Sequence, residues 1–224
     1  WSSDVCSSDL YWALREIRLG RGSLTRLRGR FSARLLRYLL AATVFFAGFS
    51  AFFGPLPAYL VDAGYATDEV FVLFILSSAA SAAAYARAGT AAAAFDPFRL
   101  QVGALLFRAG AFPIVAVTGA AIAPPVGLLV VGALFLALGA SWAVIAVTAT
   151  GLVSHLASET VRAEALGIYT AIGSLGGGIG SVLGGAIADA VGYLPAFGVA
   201  GGCVVVGILV AGGAETAAHE PVQG

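Results

Sequence analysis

The chain has 224 residues, of which 59% are hydrophobic and only 11% are charged, and its formal net charge is zero. A soluble domain carries about 25% charged residues. This composition therefore excludes an ordinary water-soluble fold. It predicts a membrane protein, with the lipid bilayer as a partner. Twelve basic residues balance twelve acidic ones, and no nucleic-acid partner is predicted.

The first 37 residues differ from the rest of the chain. Residues 1–10, WSSDVCSSDL, resemble the in-frame translation of a sequencing adapter, and the sequence contains no methionine. We therefore expect this segment to be foreign to the fold and the chain to begin inside a longer protein. Residues 11–37 are rich in arginine and predict a basic cytoplasmic loop. The alternative is an amphipathic helix on anionic lipid, which three glycines disfavour.

Six apolar segments follow, each close to the ~20 residues that a helix needs to cross the ~30 Å hydrocarbon layer. They cover residues 38–61, 70–86, 100–117, 126–153, 165–188 and 194–210. Short links that contain turn residues separate them, and short links imply antiparallel neighbours. The predicted fold class is all-α, a polytopic bundle of six transmembrane helices over residues 38–213. A cytoplasmic tail is predicted at residues 214–224.

The arginines fix the predicted orientation of the bundle. Eight of them precede the first segment, two lie between the second and third segments, and Arg162 lies between the fourth and fifth. The loops on the other side, at 62–69, 118–125 and 189–193, contain no basic residue. By the positive-inside rule the arginine side is cytoplasmic. We therefore predict a multi-pass protein of the plasma membrane with both ends of the chain in the cytoplasm.

The fifth segment is unusually rich in glycine and reads RAEALGIYTAIGSLGGGIGSVLGGAIADAVG from residue 162. In a water-soluble helix each glycine costs about 1 kcal/mol relative to alanine. In a bilayer, glycine lets two helix backbones approach closely, and such packing drives helix association. Gly173, Gly177, Gly180 and Gly184 are therefore predicted to form a helix-packing surface.

The same stretch resembles the eleventh helix of the major facilitator superfamily with its flanking loops. The matching residues are Arg162, Gly167, Gly173, Gly177, Gly180, Gly184, Gly185, Gly192 and Phe197. The first segment, FFAGFSAFFGPLPAYLVDAGY, is similar to the seventh helix of that family. The resemblance spans residues 31–213, which would be the C-terminal six-helix half. Ala163 stands where the family usually has glycine, and the family's charged loop after its eighth helix is not intact.

The resemblance implies a secondary transporter in which two six-helix halves rock about a central site. It implies a small-molecule substrate and a missing N-terminal six-helix half as partners. The glycine face of the fifth segment would be the rocking surface against that half. No cofactor and no metal are predicted. The alternative function is of a different class: a self-associating six-helix channel subunit or scaffold.

Arg108 lies near the middle of the third segment, in LLFRAGAF. A charge at that depth costs ~2.5–3.5 kcal/mol on insertion scales, so we expect it to face a cavity or a partner. As a functional residue it would bind a substrate anion or take part in coupling. The alternative is a structural pair with a neighbouring carbonyl or acid, or a side chain that extends to the interface.

Other polar or amphipathic side chains at depth are further candidates for contact with substrate. They are Trp142, Thr148, Tyr169, Thr170 and Ser174. For each one taken alone, a hydrogen bond in helix packing is the simpler explanation.

An enzyme is not predicted, although Gly139–Trp142 resembles the serine motif of rhomboid proteases. That chemistry needs a histidine base within hydrogen-bond reach of the serine. His155 lies on the serine's own helix, about 21 Å away by helical rise, and the sixth segment contains no histidine.

Overall fold

The computed structural model describes residues 30–216, with side chains as far as residue 212. The predictions for residues 1–10, for most of the basic loop and for most of the tail lie outside the described residues. The described part is all helical. Its helices are α1 (Ala33–Phe53), α2 (Leu56–Asp62), α3 (Thr67–Ala94), α4 (Pro97–Ala121), α5 (Val126–Leu156), α6 (Arg162–Val191) and α7 (Tyr193–Thr216). A short 3-10 turn at Glu159–Val161 precedes α6.

Within residues 30–216, six units are long and apolar enough to cross a membrane, and α1 and α2 together form the first of them. This confirms the prediction of six apolar helices and identifies a multi-pass membrane protein. The first unit is interrupted at Gly54 and Pro55. Proline lacks the backbone N–H that a continuous helix requires at that point, so the chain restarts there as α2.

Every membrane span extends beyond its predicted apolar segment, and two of these extensions have a clear local cause. Helix α1 begins at Ala33, inside the predicted loop, because the Ser32 hydroxyl accepts a hydrogen bond of 3.2 Å from the backbone N–H of Leu35 and caps the helix. Helix α3 continues to Ala94, so Arg87 lies within a helix rather than in the expected loop. The alanine run before residue 95 explains this extension, since alanine has the highest helix propensity.

The helices pack as pairs around α1 and α5. Helix α1 packs against α6 and α7, α5 packs against α3 and α4, and α4 also packs against α7. Aromatic side chains fill the main core, where the rings of Phe52 and Phe112 stack at 4.0 Å between centroids and Phe197 lies against Phe52. Helix α3 therefore depends mainly on α5 for its position, and α6 depends mainly on α1.

The backbone of α6 approaches that of α1 very closely. Gly180 and Gly184 are buried, and they are four residues apart, so they share one helix face. A Cβ atom at Gly180 would lie 2.7 Å from Cα of Ala47, and one at Gly184 would lie 2.6 Å from Cα of Ala51. Both glycines are therefore required where they stand because the facing helix presents backbone, not movable side-chain atoms.

Gly173 and Gly177 lie along the same interface. A Cβ atom at Gly173 would lie 3.4 Å from the ring of Phe46, and one at Gly177 would lie 3.2 Å from the Ser50 hydroxyl, both residues of α1. All four predicted packing glycines thus face a helix of this bundle. The sequence predicted that this glycine face would contact a second six-helix half. In the structure it contacts α1 instead, because α1 already presents small residues and backbone to the four glycines.

Candidate functional site

A cavity of about 670 Å³ lies between α1, α3 and α5, with a residue of α4 in its wall. This volume falls within the ~300–1,000 Å³ that is typical of small-molecule sites. Its lining combines aromatic rings, hydroxyl groups and one guanidinium group. The lining residues are Phe46, Phe49, Ser50, Phe53, Ser77, Ser78, Ser81, Ala82, Tyr85, Arg108, Gly139 and Trp142.

Arg108 reaches from α4 to the backbone of α5. Its side chain is 3% exposed. Its Nε donates a hydrogen bond of 3.1 Å to the hydroxyl of Ser141, and one of its Nη atoms donates one of 2.6 Å to the carbonyl oxygen of Leu138. The Ser141 hydroxyl in turn donates to the same carbonyl at 2.8 Å. Arg108 therefore both lines a cavity and pairs with a neighbouring carbonyl, so the structure contains both arrangements that the sequence left open.

Three aromatic rings surround the guanidinium group. The Cζ atom of Arg108 lies 4.9 Å from the ring centroid of Phe49, 5.4 Å from that of Trp142 and 5.7 Å from that of Phe53. A desolvated cation–π contact stabilises a cation by about 2 kcal/mol. These contacts and the two hydrogen bonds are of the size needed to offset the ~2.5–3.5 kcal/mol cost of placing an arginine at this depth.

Helix α3 contributes a polar face to the same cavity. Ser77, Ser81 and Tyr85 are spaced by four residues, so they lie on one face of the helix, and all three line the cavity. A second cavity of about 470 Å³ shares Tyr85 and continues along α5 as far as Ser154, near the arginine-bearing end of the bundle. Tyr85 thus lies between the central cavity and one that extends toward that end.

The structure brings two of the predicted site residues together. Arg108 and Trp142 both stand in the cavity wall. Thr148 is buried, but its hydroxyl donates to the carbonyl of Val144 on its own helix at 2.7 Å. Thr148 is thus packed inside the bundle and not part of the cavity lining.

None of the three predicted residues of α6 lines this cavity. The ring of Tyr169 packs against the ring of Phe46 at 5.6 Å. Thr170 and Ser174 are exposed, and each donates a hydrogen bond to the carbonyl four residues earlier, at 3.0 and 3.3 Å. Their hydroxyl groups are therefore satisfied within the helix, as is usual for serine and threonine on a membrane helix.

Sequence reasoning did not single out most of the cavity lining. Phe46, Phe49 and Phe53 on α1 recur at three- and four-residue spacing, and so do Ser77 and Ser81 on α3. Helical spacing of this kind places residues on one face. The signal was therefore present in both segments, but it does not show which face of a membrane helix meets a cavity and which meets lipid.

Arg162 is exposed at the start of α6, where its Nε donates a hydrogen bond of 3.2 Å to the carbonyl of Ser154 at the end of α5. Nearby, Arg30 and Glu164 form an exposed salt bridge of 3.0 Å. Exposed pairs of this kind contribute about 0–1 kcal/mol. Arg162 therefore links two helix ends at the bundle surface, far in sequence from the cavity residues.

Metal-ligating residues do not cluster in the part of the chain that the structure describes: no group of three or more His, Cys, Asp or Glu side chains could hold a metal ion there. No family model matches the chain, and no curated protein matches it in sequence. The resemblance to the major facilitator superfamily thus depends on the motifs of the sequence alone.

Proposed function

We propose that this chain is part of a secondary active transporter that moves a small solute across the plasma membrane by alternating access. The observation that carries the proposal is the cavity beside Arg108. It is lined by four helices, it has the volume of a small-molecule site, and it contains a buried charge near the middle of a membrane helix. Transporters of this class bind their substrates near the midplane of the bilayer.

The exposure of the helices supports a second six-helix half as the partner. In the apolar part of each membrane span, the share of residues buried inside the bundle is 17% for α3 and 22% for the span that contains α6. It is 39% or more for each of the other four spans. The four predicted packing glycines of α6 already face α1. The rocking surface of the proposed transporter would therefore be the open faces of α3 and α6, not the glycine face itself.

The arginine distribution supports the proposed orientation, with the arginine-bearing ends in the cytoplasm. The second cavity extends toward those ends. In this arrangement the solute would leave or enter the central cavity on the cytoplasmic side, past Tyr85.

Flux through vesicles tests the proposal against the channel alternative. The full-length protein, which contains this chain together with the proposed N-terminal half, is reconstituted in liposomes loaded with a defined mixture of metabolites, and the loss of each is followed by mass spectrometry. We expect saturable flux of a small group of solutes, abolished by Arg108→Ala and retained by Arg99→Ala, whose side chain is exposed outside the cavity. An unsaturable electrical conductance would instead favour the channel subunit.

The coding sequence upstream of residue 11 provides an independent test. Six further apolar segments that lead into the basic loop are expected for a transporter half. A start codon within a few dozen residues would favour the self-associating protein and contradict the two-half architecture.

A further inference from the structure

The charge of the cavity is unbalanced. Arg108 is the one charged side chain among the described residues that line it. All aspartates and glutamates of residues 30–216 lie in links or within a terminal turn of a helix. They are Asp62, Asp68, Glu69, Asp96, Glu159, Glu164, Asp189 and Glu215. Within the described part of the chain, only carbonyl, hydroxyl and aromatic groups compensate the guanidinium.

The guanidinium group has donors to spare. It carries five N–H groups, and its two described hydrogen bonds use one at Nε and one at a single Nη. Within residues 30–216, no protein acceptor takes the remaining N–H groups. Because the residue lines the cavity, these donors can serve an acceptor that enters it. A carboxylate is an acceptor that a guanidinium group binds strongly and in bidentate geometry.

The rest of the wall fits a flat apolar body. Phe49, Phe53 and Trp142 surround the guanidinium and also line the cavity, so the same rings are available to a bound molecule. Aromatic pairs prefer offset or edge-to-face contact. The hydroxyl groups of Ser77 and Ser81 line the same cavity from α3 and can orient a polar substituent.

From this combination we infer that the cavity binds a small organic anion: a carboxylate, held by Arg108, on an aromatic body, held by Phe49, Phe53 and Trp142. The inference depends on the proposed transport function, whose substrate class it names. The competing explanation is that Arg108 only ties α4 to α5 through the Leu138 carbonyl. The two explanations differ in whether the cavity distinguishes an anion from a neutral molecule of the same shape.

Fluorescence of Trp142 reports binding directly, since it is the only tryptophan of residues 30–216. Trp1→Phe and Trp12→Phe in the full chain leave it as the single emitter. The protein, in nanodiscs of neutral phosphatidylcholine, is titrated with three quenching probes of one ring: 4-nitrobenzoate, 4-nitrobenzamide and 4-nitrobenzylammonium. We expect the carboxylate to bind about tenfold or more tightly than the amide, and the cation to bind most weakly.

The preference for the anion should depend on the charge at residue 108. Arg108→Lys should keep most of it, whereas Arg108→Gln should reduce it to less than about twofold. Because variants of Arg108 could fail to fold, a second test keeps this residue. The variant Ser78→Cys, made in a background without native cysteine, places an accessible thiol in the cavity wall. An anionic thiosulfonate should modify this thiol about tenfold faster than a cationic one, after correction by a free thiol.

The outcomes separate the two proposals. Equal affinity for the carboxylate and the amide, or faster modification by the cationic reagent, would overturn the organic-anion class while leaving a transporter with another substrate. Binding of none of the probes would overturn it too, and the vesicle flux then decides the transport function by itself. Retention of the anion preference in Arg108→Gln would show that Arg108 is only a structural link.

Discussion

Replacing glycine by alanine should have opposite effects on stability at two neighbouring positions of α6, one facing α1 and one facing open space. At Gly180 an added Cβ atom would lie 2.7 Å from Cα of Ala47, whereas at Gly178 nothing lies within 4 Å of it. Gly180→Ala should therefore destabilise the protein. Gly178→Ala should leave it unchanged or stabilise it, because alanine is the better helix former.

The magnitude follows from the distances. Ordinary van der Waals contact begins at 3.4 Å, so the two backbones must separate by at least 0.7 Å at Gly180. A gap of about 0.5–1 Å forfeits a quarter to a half of the dispersion energy across it, and overpacking of this kind costs about 1–3 kcal/mol. Gly178→Ala gains up to about 1 kcal/mol. The two variants should therefore differ by about 1–4 kcal/mol, with about 2 kcal/mol as the central value.

Thermal unfolding in nanodiscs, followed by circular dichroism, measures this difference. For a chain of this size we expect the two midpoints to lie about 5 °C apart, with Gly180→Ala the lower. Gly184→Ala should match Gly180→Ala because its Cβ atom meets the α1 backbone in the same way. The reasoning would be refuted if Gly180→Ala unfolded at the wild-type temperature, or if Gly178→Ala were the less stable variant.

Three further results are expected. Gly139→Ala should cost about 1–3 kcal/mol in the same unfolding assay, because its Cβ atom would meet the α3 backbone at 2.7 Å, whereas Gly103→Ala, in open space, should not. Asp96→Ala should lower stability by about 0.5–2 kcal/mol, since the Asp96 carboxylate caps α4, and an equally stable variant would contradict the cap. In a background without native cysteine, Ala66→Cys should react with an impermeant thiol reagent from outside and Ala93→Cys only after permeabilisation; the reverse would contradict the proposed orientation.

Helix number and position could be predicted from the sequence because each depends on a local property. A run of about 20 apolar residues is long enough to cross the bilayer, and polar, proline or glycine residues at the links interrupt the runs. The depth of Arg108 follows from the same count. The ends of α1 and α3 were less accurate because capping by Ser32 and the alanine run before residue 95 extend helices beyond their apolar parts.

Which side of each helix packs inside the bundle, and which side meets lipid, could not be predicted in the same way. In a soluble helix one apolar face identifies the core, but a membrane helix is apolar on all faces. Ser174 and Ser81 are therefore equivalent by composition, although the structure places the first on an exposed face and the second in the cavity wall. Distinguishing them requires knowing which helices are neighbours, and that depends on contacts between distant segments.

The close backbone contacts also determine where this bundle can change shape. Gly180 and Gly184 bring α6 against α1, and Gly139 brings α5 against α3, each at a distance that admits no side chain. The cavity lies between these two tightly joined pairs, with aromatic rings of α1 on one side and hydroxyl groups of α3 on the other. A change in the width of the cavity therefore needs no separation within either pair. Arg108 crosses from α4 to α5 at that level, so a ligand that withdraws its guanidinium group from the Leu138 carbonyl would break one of the links between α4 and the α3–α5 pair.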